Sequence, residues 1–529
     1  MIKAFVNGKI YTSDENNLWA EALIVKDNKI AFVGTTSQVL NKTTEEHEII
    51  DLKGKLVVPG FIDCHAHLIM GGFYLLNINL ADVKTVEEFK LTVKDYAEKN
   101  PGKPILGGNW NQQNWDIKEM PNKKMVDEYT PNTPLFVHRM DYHSALANSV
   151  ALKLAGITKD TPDPDGGTIE KDPTTGEPTG LLKDKAMDLV ENKLPDRPQE
   201  QYELACLTAL EEAKRFGVTS IHDVAYKNDF RTFQRLLKEN KLTTRIYTRL
   251  PIEKCYNLID SEFENPFGND LLKIGSLKAF ADGSLGSYTA LFFEPYSDDP
   301  NSYGLAMDVL SNGNIRKWSI DADKANLQLS IHAIGDKANS MILDIAEELE
   351  QLNGKKDRRF RIEHAQHIKR EDIKRFKKLD VIASMQPYHM YDDGCWAESK
   401  IGKERLKTSF ALKSFIDEGV KVCFGSDWPI ATLDPIQGIY TAVTRHTLDG
   451  KNPNGFIPEE KITVKQAVDG YTIFAAYAAY EENIKGSITA NKFADFIVLS
   501  ENIFSIAPEQ IKNVFVEKTI FNGEIIYSI

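Results

Sequence analysis

The chain has 529 residues, an apolar share of 42% and a formal net charge of −13 at pH 7. This length allows either several average domains or one large α/β barrel with additions, and the apolar share is ample for a buried core. The negative charge and the absence of a Lys/Arg-rich run argue against nucleic acid or an anionic membrane as partner. A small-molecule substrate is the expectation that remains.

The N-terminus and the cysteines bear on the cellular compartment. Met1–Gly8 reaches a turn signal before a signal-peptide hydrophobic region can form, and no later apolar run is long enough to span a bilayer. The five cysteines are scattered and contain no Cys-x-x-Cys pair, which suits a reducing compartment. The sequence therefore predicts a soluble, cytoplasmic protein without a membrane partner, and a homodimer is the default expectation for such a protein.

Residues 1–58 and 486–529 have the composition of short β-strands. The Asn-Gly pairs that begin at Asn7 and Asn522 predict type I′ hairpins, and Ala22–Val33 repeats this plan. Short strands at either end of a chain cannot form a core alone. We therefore expect the two ends to pair into one small β-sandwich domain.

The middle of the chain alternates predicted helices and strands. Leu204 to Phe216 repeats apolar residues at helical spacing, Gly217 supplies a stop, and the strand Val218–Asp223 follows. Seven more runs have strand character: Leu56–Leu68, Arg245–Leu250, Lys273–Phe280, Leu327–His332, Phe360–His364, Val381–Met385 and Val420–Phe424. Eight strands alternating with helices predict an α/β fold of the (β/α)8 TIM-barrel type over residues 59–485, with catalytic residues at the carboxyl ends of the strands.

Residues 70–200 do not fit this repeat, and we interpret them as a large insertion after the first barrel strand. Within it, the Pro/Asp/Gly-rich stretch Thr161–Gly180 predicts a loop or hairpin. An insertion at that strand end would lie over the active site as a lid or substrate wall, which makes Trp110 a candidate for substrate binding. In the alternative interpretation, Trp110 and Trp115 belong to the insertion's own core.

Metal-ligating residue types recur at the predicted strand ends. His65 and His67 alternate on one strand, so both imidazoles project from the same face and can hold one metal ion. Four more candidates lie on or just after other strands: Lys278, His332, His364 and Asp427. A barrel brings these ends into one ring, and nitrogen and oxygen donors of this kind match a divalent metal site.

The ordered set of these six residues resembles the amidohydrolase superfamily. Four segments resemble its amidohydrolase 3 branch, which includes N-substituted formamide deformylases: Lys278–Ser287, Ile331–Asp336, Ile362–Gln366 and Gly425–Pro429. The resemblance covers nearly the whole chain. It departs at Asn491-Lys492, where the family usually has Gly-Lys, and asparagine tolerates the left-handed backbone that such a glycine adopts.

The resemblance implies a divalent metal cofactor, expected to be zinc, with one or two ions per chain. His65, His67 and Asp427 would bind one ion, and His332 and His364 would bind the second. Lys278 would bridge the two ions as a carbamate formed with carbon dioxide, and the alternative is an uncarboxylated Lys278 beside a single ion.

The implied function is hydrolysis of a non-peptide carbon–nitrogen bond in a formamide, amide or cyclic amide by a metal-activated hydroxide. Asp427 would be the catalytic residue that accepts a proton and returns it to the leaving nitrogen. One alternative is a single-metal deaminase, which is disfavoured because no Glu stands three residues after His332 and because Lys278 is present. Another is a non-catalytic regulatory protein that retains the fold.

The resemblance also suggests substrate contacts for four residues in or beside loops, although a hydrogen-bonded structural role is the alternative for the histidines: His143, His222, Gln386 and His389. Two acidic residues near the expected site receive weaker interpretations. Strand alternation predicts that Glu363 points away from the site toward the helices. Asp282 is expected to orient a ligand histidine.

Overall fold

The computed structural model of the chain describes residues 2–44, 47–140, 142–194 and 197–529. The chain divides into two compact units, of which the first comprises Met1–Leu68 and Leu210–Ile529 and the second comprises Ile69–Ala209. Within the described ranges, no helix combines the length and the apolar character needed to cross a membrane.

Eight parallel strands form the central sheet of the first unit. In chain order they are β1 (Phe61–Ala66), β2 (Val218–Val224), β3 (Arg245–Pro251), β4 (Leu272–Phe280), β5 (Leu329–Ala333), β6 (Arg361–His364), β7 (Ile382–Met385) and β8 (Val422–Phe424). Each strand pairs with the next one in sequence, and the two-residue strand Phe267–Gly268 adds to β4. The predicted α/β barrel is confirmed.

The ends of β1 and β8 are joined by two backbone hydrogen bonds that bring the first and last strands of the sheet together. The amide of His67 donates to the carbonyl of Trp428 over 2.8 Å, and the amide of Asp427 donates to the carbonyl of His65 over 2.7 Å. Three candidate ligands, His65, His67 and Asp427, thus lie at the junction that closes the ring.

Helices alternate with the barrel strands. The helix predicted before β2 spans Gln199–Arg215, and Gly217, at φ +70°, reverses the chain into the strand. The helices that lie wholly within the first unit are Thr36–Leu40, Asp229–Lys238, Cys255–Asp260, Asp308–Ser311, Asn314–Lys324, Asp336–Asn353, Arg370–Lys378, Pro387–Asp393, Ala397–Leu406, Leu412–Asp417, Pro435–Thr444, Val464–Gly470 and Ile473–Ala478.

Strands from the two ends of the chain form two further sheets in the first unit. The four-stranded sheet has the order Lys29–Gly34, Ala22–Lys26, Ile2–Val6, Glu48–Asp51. The six-stranded sheet has the order Glu524–Ser528, Val516–Phe521, Phe496–Leu499, Leu56–Pro59, Lys9–Tyr11, Trp19–Ala20. One hydrophobic cluster contains residues of both sheets: Phe5 from the four-stranded sheet, and Val57 and Phe496 from the six-stranded sheet. The proposed separate domain of residues 1–58 and 486–529 stays a prediction.

The turn signals at the two ends had different outcomes. The hairpin at Asn522 is present, since Val516–Phe521 pairs antiparallel with Glu524–Ser528. The hairpin predicted at Asn7 is wrong, because Ile2–Val6 and Lys9–Tyr11 belong to different sheets. Asn7 does adopt the left-handed conformation, at φ +57°. A turn signal specifies local backbone geometry, whereas the partner of each strand is decided by more distant packing.

The second unit contains a six-stranded sheet with its own hydrophobic core. Its strands are Ile78–Asn79, Ile105–Trp110, Leu135–Arg139, Ser144–Ala147, Gly167–Lys171 and Pro178–Asp184. Its helices are Val86–Lys99, Ser149–Ala155 and Asp188–Glu191, and the helix Leu68–Leu76 precedes all of these elements in the chain. The stretch Thr161–Gly180 contributes to an antiparallel hairpin. The position of this segment over the active site stays a prediction.

Candidate metal centre

Two histidines and an aspartate meet at the carboxyl ends of β1 and β8. Nε2 of His67 lies 3.0 Å and Nε2 of His65 lies 3.4 Å from Oδ1 of Asp427. Donor atoms of all three residues lie within 4.8 Å of one another, and all three residues are buried. Strand alternation brings the two imidazoles to one face, as the His-x-His spacing predicts.

The carboxylate of Asp63 fastens β1 to the turn that carries Asp427. Its Oδ1 accepts hydrogen bonds from the amides of His65, over 2.9 Å, and Ser426, over 3.0 Å, and the Ser426 hydroxyl donates to Oδ2. Gly425 makes the close approach possible, since a Cβ there would lie 2.5 Å from the amide nitrogen of His65. Asp427 itself has φ +61°, which turns its side chain toward the histidines.

Glu363 points into the site, and the prediction that it faces the helices is wrong. Its Oε2 lies 2.5 Å from Nδ1 of His65 and accepts a hydrogen bond from the hydroxyl of Ser384 over 2.7 Å. Strand alternation fails here because the next residue, His364, adopts φ +72°. In that left-handed conformation the chain leaves the pleat, so consecutive side chains no longer alternate between faces.

Two buried arginines keep Glu363 ionised. Arg249 Nη1 and Arg361 Nε lie 2.8 and 2.9 Å from its Oε1. Burial acts to raise the pKa of Glu363, but the guanidinium charges outweigh it and hold this pKa well below its usual range. An anionic carboxylate only accepts hydrogen bonds, so Nδ1 of His65 must carry the hydrogen and its Nε2 lone pair is free for a metal ion.

His222, predicted to contact substrate, lies in the same charged network. Its Nδ1 is 3.0 Å from Nη1 of Arg361, and its side chain is inaccessible to solvent. Burial, reinforced by the charge of Arg361, holds the pKa of His222 well below its usual value, so the ring is neutral and accepts this hydrogen bond. Substrate binding by His222 stays a prediction.

Lys278 on β4 has a buried ammonium group. Among the described residues its Nζ has no hydrogen-bond partner, and it lies 4.1 Å from the centre of the Phe280 ring. Burial lowers the pKa of Lys278 to about 7, although the carboxylate of Glu363 opposes this shift. A substantial neutral fraction of the amine therefore exists near neutral pH.

His332 and His364 continue the ring of imidazoles. Their ring centres are 4.3 Å apart, and the centre of His364 lies 5.1 Å from that of His65. Nε2 of His332 lies 3.2 Å from the carbonyl oxygen of Gly283 and 3.5 Å from Oδ1 of Asp282. Donation to these oxygens leaves Nδ1 of His332 as the free donor atom for a metal.

Asp282 holds the loops that follow β4 and β5. Its Oδ1 accepts a hydrogen bond from the amide of Ile334, and its Oδ2 accepts from the amides of Leu291 and Gly335. With its Oδ1 also beside His332, Asp282 occupies the position expected of a carboxylate that orients a candidate ligand.

His389 joins a second group of candidate donors with His364 and Asp427, again within 4.8 Å of one another. His389 follows β7, on the helix Pro387–Asp393, and its Nε2 is 3.6 Å from Oδ2 of Asp427. Gln386, the residue before that helix, is buried and donates a long hydrogen bond, 3.4 Å, to the carbonyl of Ser384. Their substrate-binding roles stay predictions.

Trp110 and His143 belong to the second unit. Trp110 is fully buried in the core of that unit, and its indole nitrogen donates to the carbonyl of Val137 over 2.9 Å. This placement agrees with the interpretation of Trp110 as part of the insertion's own core. Nδ1 of His143 lies 2.8 Å from Oδ1 of Asp184. Substrate binding by either residue stays a prediction.

The residues present fit a divalent metal ion. Several buried side-chain nitrogens in this region lack a hydrogen-bond partner among the described residues, among them His67 Nδ1, Lys278 Nζ, His364 Nδ1 and His389 Nε2. Burial of polar nitrogens without partners costs free energy of folding, so these nitrogens indicate a bound group, such as a metal ion, that they would contact. Imidazole and carboxylate are the donor types that zinc and related ions take.

Sequence reasoning missed three contributors to the centre. Glu363 was assigned to the wrong face, and a single sequence could not reveal the left-handed turn at His364. Asp63 is two residues before His65, a spacing that strand alternation places on the same face, and this signal could have identified it. Tyr226, whose ring stacks on that of His67 with centres 5.6 Å apart, follows β2 and has no sequence signal.

An α/β barrel with histidine and aspartate donors at the carboxyl ends of its strands has the architecture of metal-dependent hydrolases. Comparison with known proteins agrees. The model of the amidohydrolase family matches residues 48–527, and the chain belongs to this family.

Three similar proteins illustrate the relationship. Protein LONG AFTER FAR-RED 3 from Arabidopsis thaliana is 39% identical over 94% of this chain and 86% of its own length. An N-substituted formamide deformylase from Arthrobacter pascens is 27% identical over 99% of this chain and 97% of its own length. The crystal structure of an uncharacterized metal-dependent hydrolase from Pyrococcus furiosus superposes with a TM-score of 0.78 and 28% identity, covering 96% of this chain and 100% of the other.

Proposed function

We propose that this protein hydrolyses a non-peptide carbon–nitrogen bond of a formamide, amide or cyclic amide, with a divalent metal ion, expected to be zinc, as cofactor. The observation that carries the proposal is the convergence of donor atoms from His65, His67 and Asp427 within 4.8 Å at the carboxyl end of the barrel. The bond type is supported by the similarity to the N-substituted formamide deformylase.

In this proposal His65, His67 and Asp427 hold one ion, and His332, His364 and Lys278 are further candidate ligands. A divalent ion at such a site supplies Lewis-acid chemistry, lowering the pKa of water and polarising a carbonyl group. The protein's own contribution is to fix the donors, because Glu363 orients His65 and the turn held by Asp63 orients Asp427.

Asp427 is the proposed proton carrier. Its carboxylate accepts the proton that the attacking water releases, and it returns this proton to the nitrogen as the carbon–nitrogen bond breaks. The water oxygen bonds to the carbonyl carbon as it loses this proton, before the carbon–nitrogen bond breaks, and the products are a carboxylic acid and an amine, which stay joined in one molecule when the substrate is cyclic. The side chain is 10% exposed, so it is not wholly closed to solvent.

Carboxylation of Lys278 is proposed as well. A neutral amine is the form that reacts with carbon dioxide, and the buried, unpartnered Nζ with a pKa of about 7 supplies that form at neutral pH. Carbon-13 NMR of protein equilibrated with labelled bicarbonate should show a carbamate resonance that is absent from Lys278→Met.

The function is tested by removing metal with a chelator and titrating zinc back in the presence of N-substituted formamides, linear amides and cyclic amides. We expect release of amine to require zinc and to be confined to one of these classes. Zinc-independent release, or deamination of an aromatic ring without amide hydrolysis, would contradict the proposal.

A further inference from the structure

Asp393 is an acid that has no cationic partner among the described residues. It ends the helix Pro387–Asp393, and its Oδ2 accepts a hydrogen bond from Nε2 of Gln366 over 2.7 Å. Within the described part of the chain, its Oδ1 accepts no hydrogen bond. Burial, reinforced by the negative charge of Asp392, raises the pKa of Asp393 well above its usual value, and the hydrogen bond from Gln366 opposes this shift without a positive charge. The carboxyl group therefore lacks the charge that would complement it.

A chain of hydrogen bonds fixes the orientation of Gln366 beside Asp393. The hydroxyl of Ser409 donates to the carbonyl of Arg405 over 3.2 Å, so its oxygen accepts from Nδ1 of His367, 2.8 Å away. Nε2 of His367 then carries a lone pair, and the amide nitrogen of Gln366 donates to it over 3.2 Å. The same amide nitrogen donates to Oδ2 of Asp393. Oδ1 of Asp393 is thus the oxygen that remains for a ligand.

Asp393 lies one helical turn beyond His389. The two residues are four apart in one helix, so their side chains project from the same face, about 6 Å apart along the helix axis. His389 is directed to the candidate metal centre, since its Nε2 lies 3.6 Å from Oδ2 of Asp427. Gln366 follows β6 two residues after His364. Asp393 is partly exposed even though burial dominates its pKa, so its carboxyl lies in a recess beside the metal centre and not in a sealed core.

We propose that Asp393 binds a positively charged group of the substrate, such as an ammonium group, about 6 Å beyond the amide that is hydrolysed. The inference rests on the proposed function and deepens it by naming the substrate class, an amide whose chain carries a basic group. A cation at Oδ1 supplies the charge that the protein does not provide, and the recess strengthens the attraction because little water screens it. A neutral amide of the same shape gains no such contact.

The test uses two formamides of matched size. N-(3-aminopropyl)formamide ends in an ammonium group, and N-butylformamide has a methyl group at the same place. Binding of each to the zinc-loaded full-length protein is measured by isothermal titration calorimetry, and amine release is followed in parallel. Asp393→Asn removes the charge and can still accept from Gln366, whereas Asp393→Glu keeps the charge. Asp417→Asn is the matched control, because it removes one negative charge from an exposed helix end. Circular dichroism establishes that each variant is folded.

We expect wild type and Asp417→Asn to bind the aminopropyl compound at least about tenfold more tightly than the butyl compound, as one charge-assisted contact provides. Asp393→Asn should bring this ratio close to one by weakening only the aminopropyl compound, and Asp393→Glu should keep part of the preference. The inference is overturned if wild type does not prefer the aminopropyl compound, or if folded Asp393→Asn keeps the full preference. Ammonium-dependent binding without hydrolysis of formamides, linear amides or cyclic amides would support this site and contradict the proposed function alone.

Discussion

The carboxylate of Glu363 lies 2.5 Å from Nδ1 of His65 in the barrel interior, and both side chains are buried from solvent. The contact fixes which nitrogen of His65 faces Asp427. It is built from β1 and β6, which are not neighbours in the sheet, and it depends on the ion pairs of Glu363 with Arg249 and Arg361.

Glu363→Gln should weaken metal binding at the site formed by His65, His67 and Asp427. An amide supplies no negative charge to the two arginines, and its NH2 group can turn toward His65, where it would favour the wrong tautomer. Loss of a partner of this kind typically costs about 10–100-fold in metal affinity. The measurement is competition with a chromophoric chelator. Glu460→Gln is the control, since Glu460 is also buried but is hydrogen-bonded to Ser414. Equal metal affinities of the two variants would argue against the role of Glu363 in positioning His65.

Asp427→Asn should abolish turnover even when zinc is saturating. The amide cannot carry the proton from water to the leaving nitrogen, and loss of such a group costs about 10²–10⁴-fold in kcat. Amine release is followed at zinc concentrations that fill the site in both proteins, with bound metal measured in parallel. A fully active variant would exclude Asp427 as the proton carrier.

Gly425→Ala should loosen the junction between β1 and β8. The new methyl group would lie 2.5 Å from the amide nitrogen of His65 and 2.7 Å from Oδ1 of Asp63, so the strand ends must separate. Overpacking of this kind costs about 1–3 kcal/mol in the free energy of unfolding, measured by urea denaturation. Gly286→Ala is a matched control, because its nearest atom is 3.5 Å away in Trp396. Equal stability of the two variants would count against a tight junction.

His367, outside the candidate centre, should make stability depend on pH. It is buried, its Nδ1 lies 2.8 Å from the Ser409 hydroxyl, and burial lowers the pKa of His367 to about 3. Between this value and the unfolded value of about 6.5, the unfolded state binds the extra proton, so the contribution of His367 to stability is lost as pH falls.

The difference in unfolding free energy between wild type and His367→Gln should therefore shrink on acidification, by up to about 1.4 kcal/mol per pH unit within that window. Urea unfolding of both proteins at a series of pH values measures it. Parallel curves from pH 6.5 to 4 would mean that His367 is protonated as readily in the folded state as in the unfolded state.

The barrel was predictable because each strand is a short apolar run and each candidate ligand ends such a run. His65, His67 and Asp427 come together for that reason. Two local rules failed. The turn at Asn7 has the expected backbone but joins two sheets, and alternation between Glu363 and His364 is lost because His364 is left-handed. Strand partners and single left-handed residues depend on the packed structure, and a sequence pattern carries little information about either.

The most direct test of the account is the zinc content of wild type and of the double variant His65→Ala, His67→Ala after dialysis at equal free zinc concentration. Both imidazoles and the carboxylate of Asp427 are donors at this site. We therefore predict that wild type binds zinc there, and that the double variant binds at least one zinc ion per chain fewer than wild type. Equal zinc content in the two folded proteins would contradict the assignment of a metal centre to the end of β1.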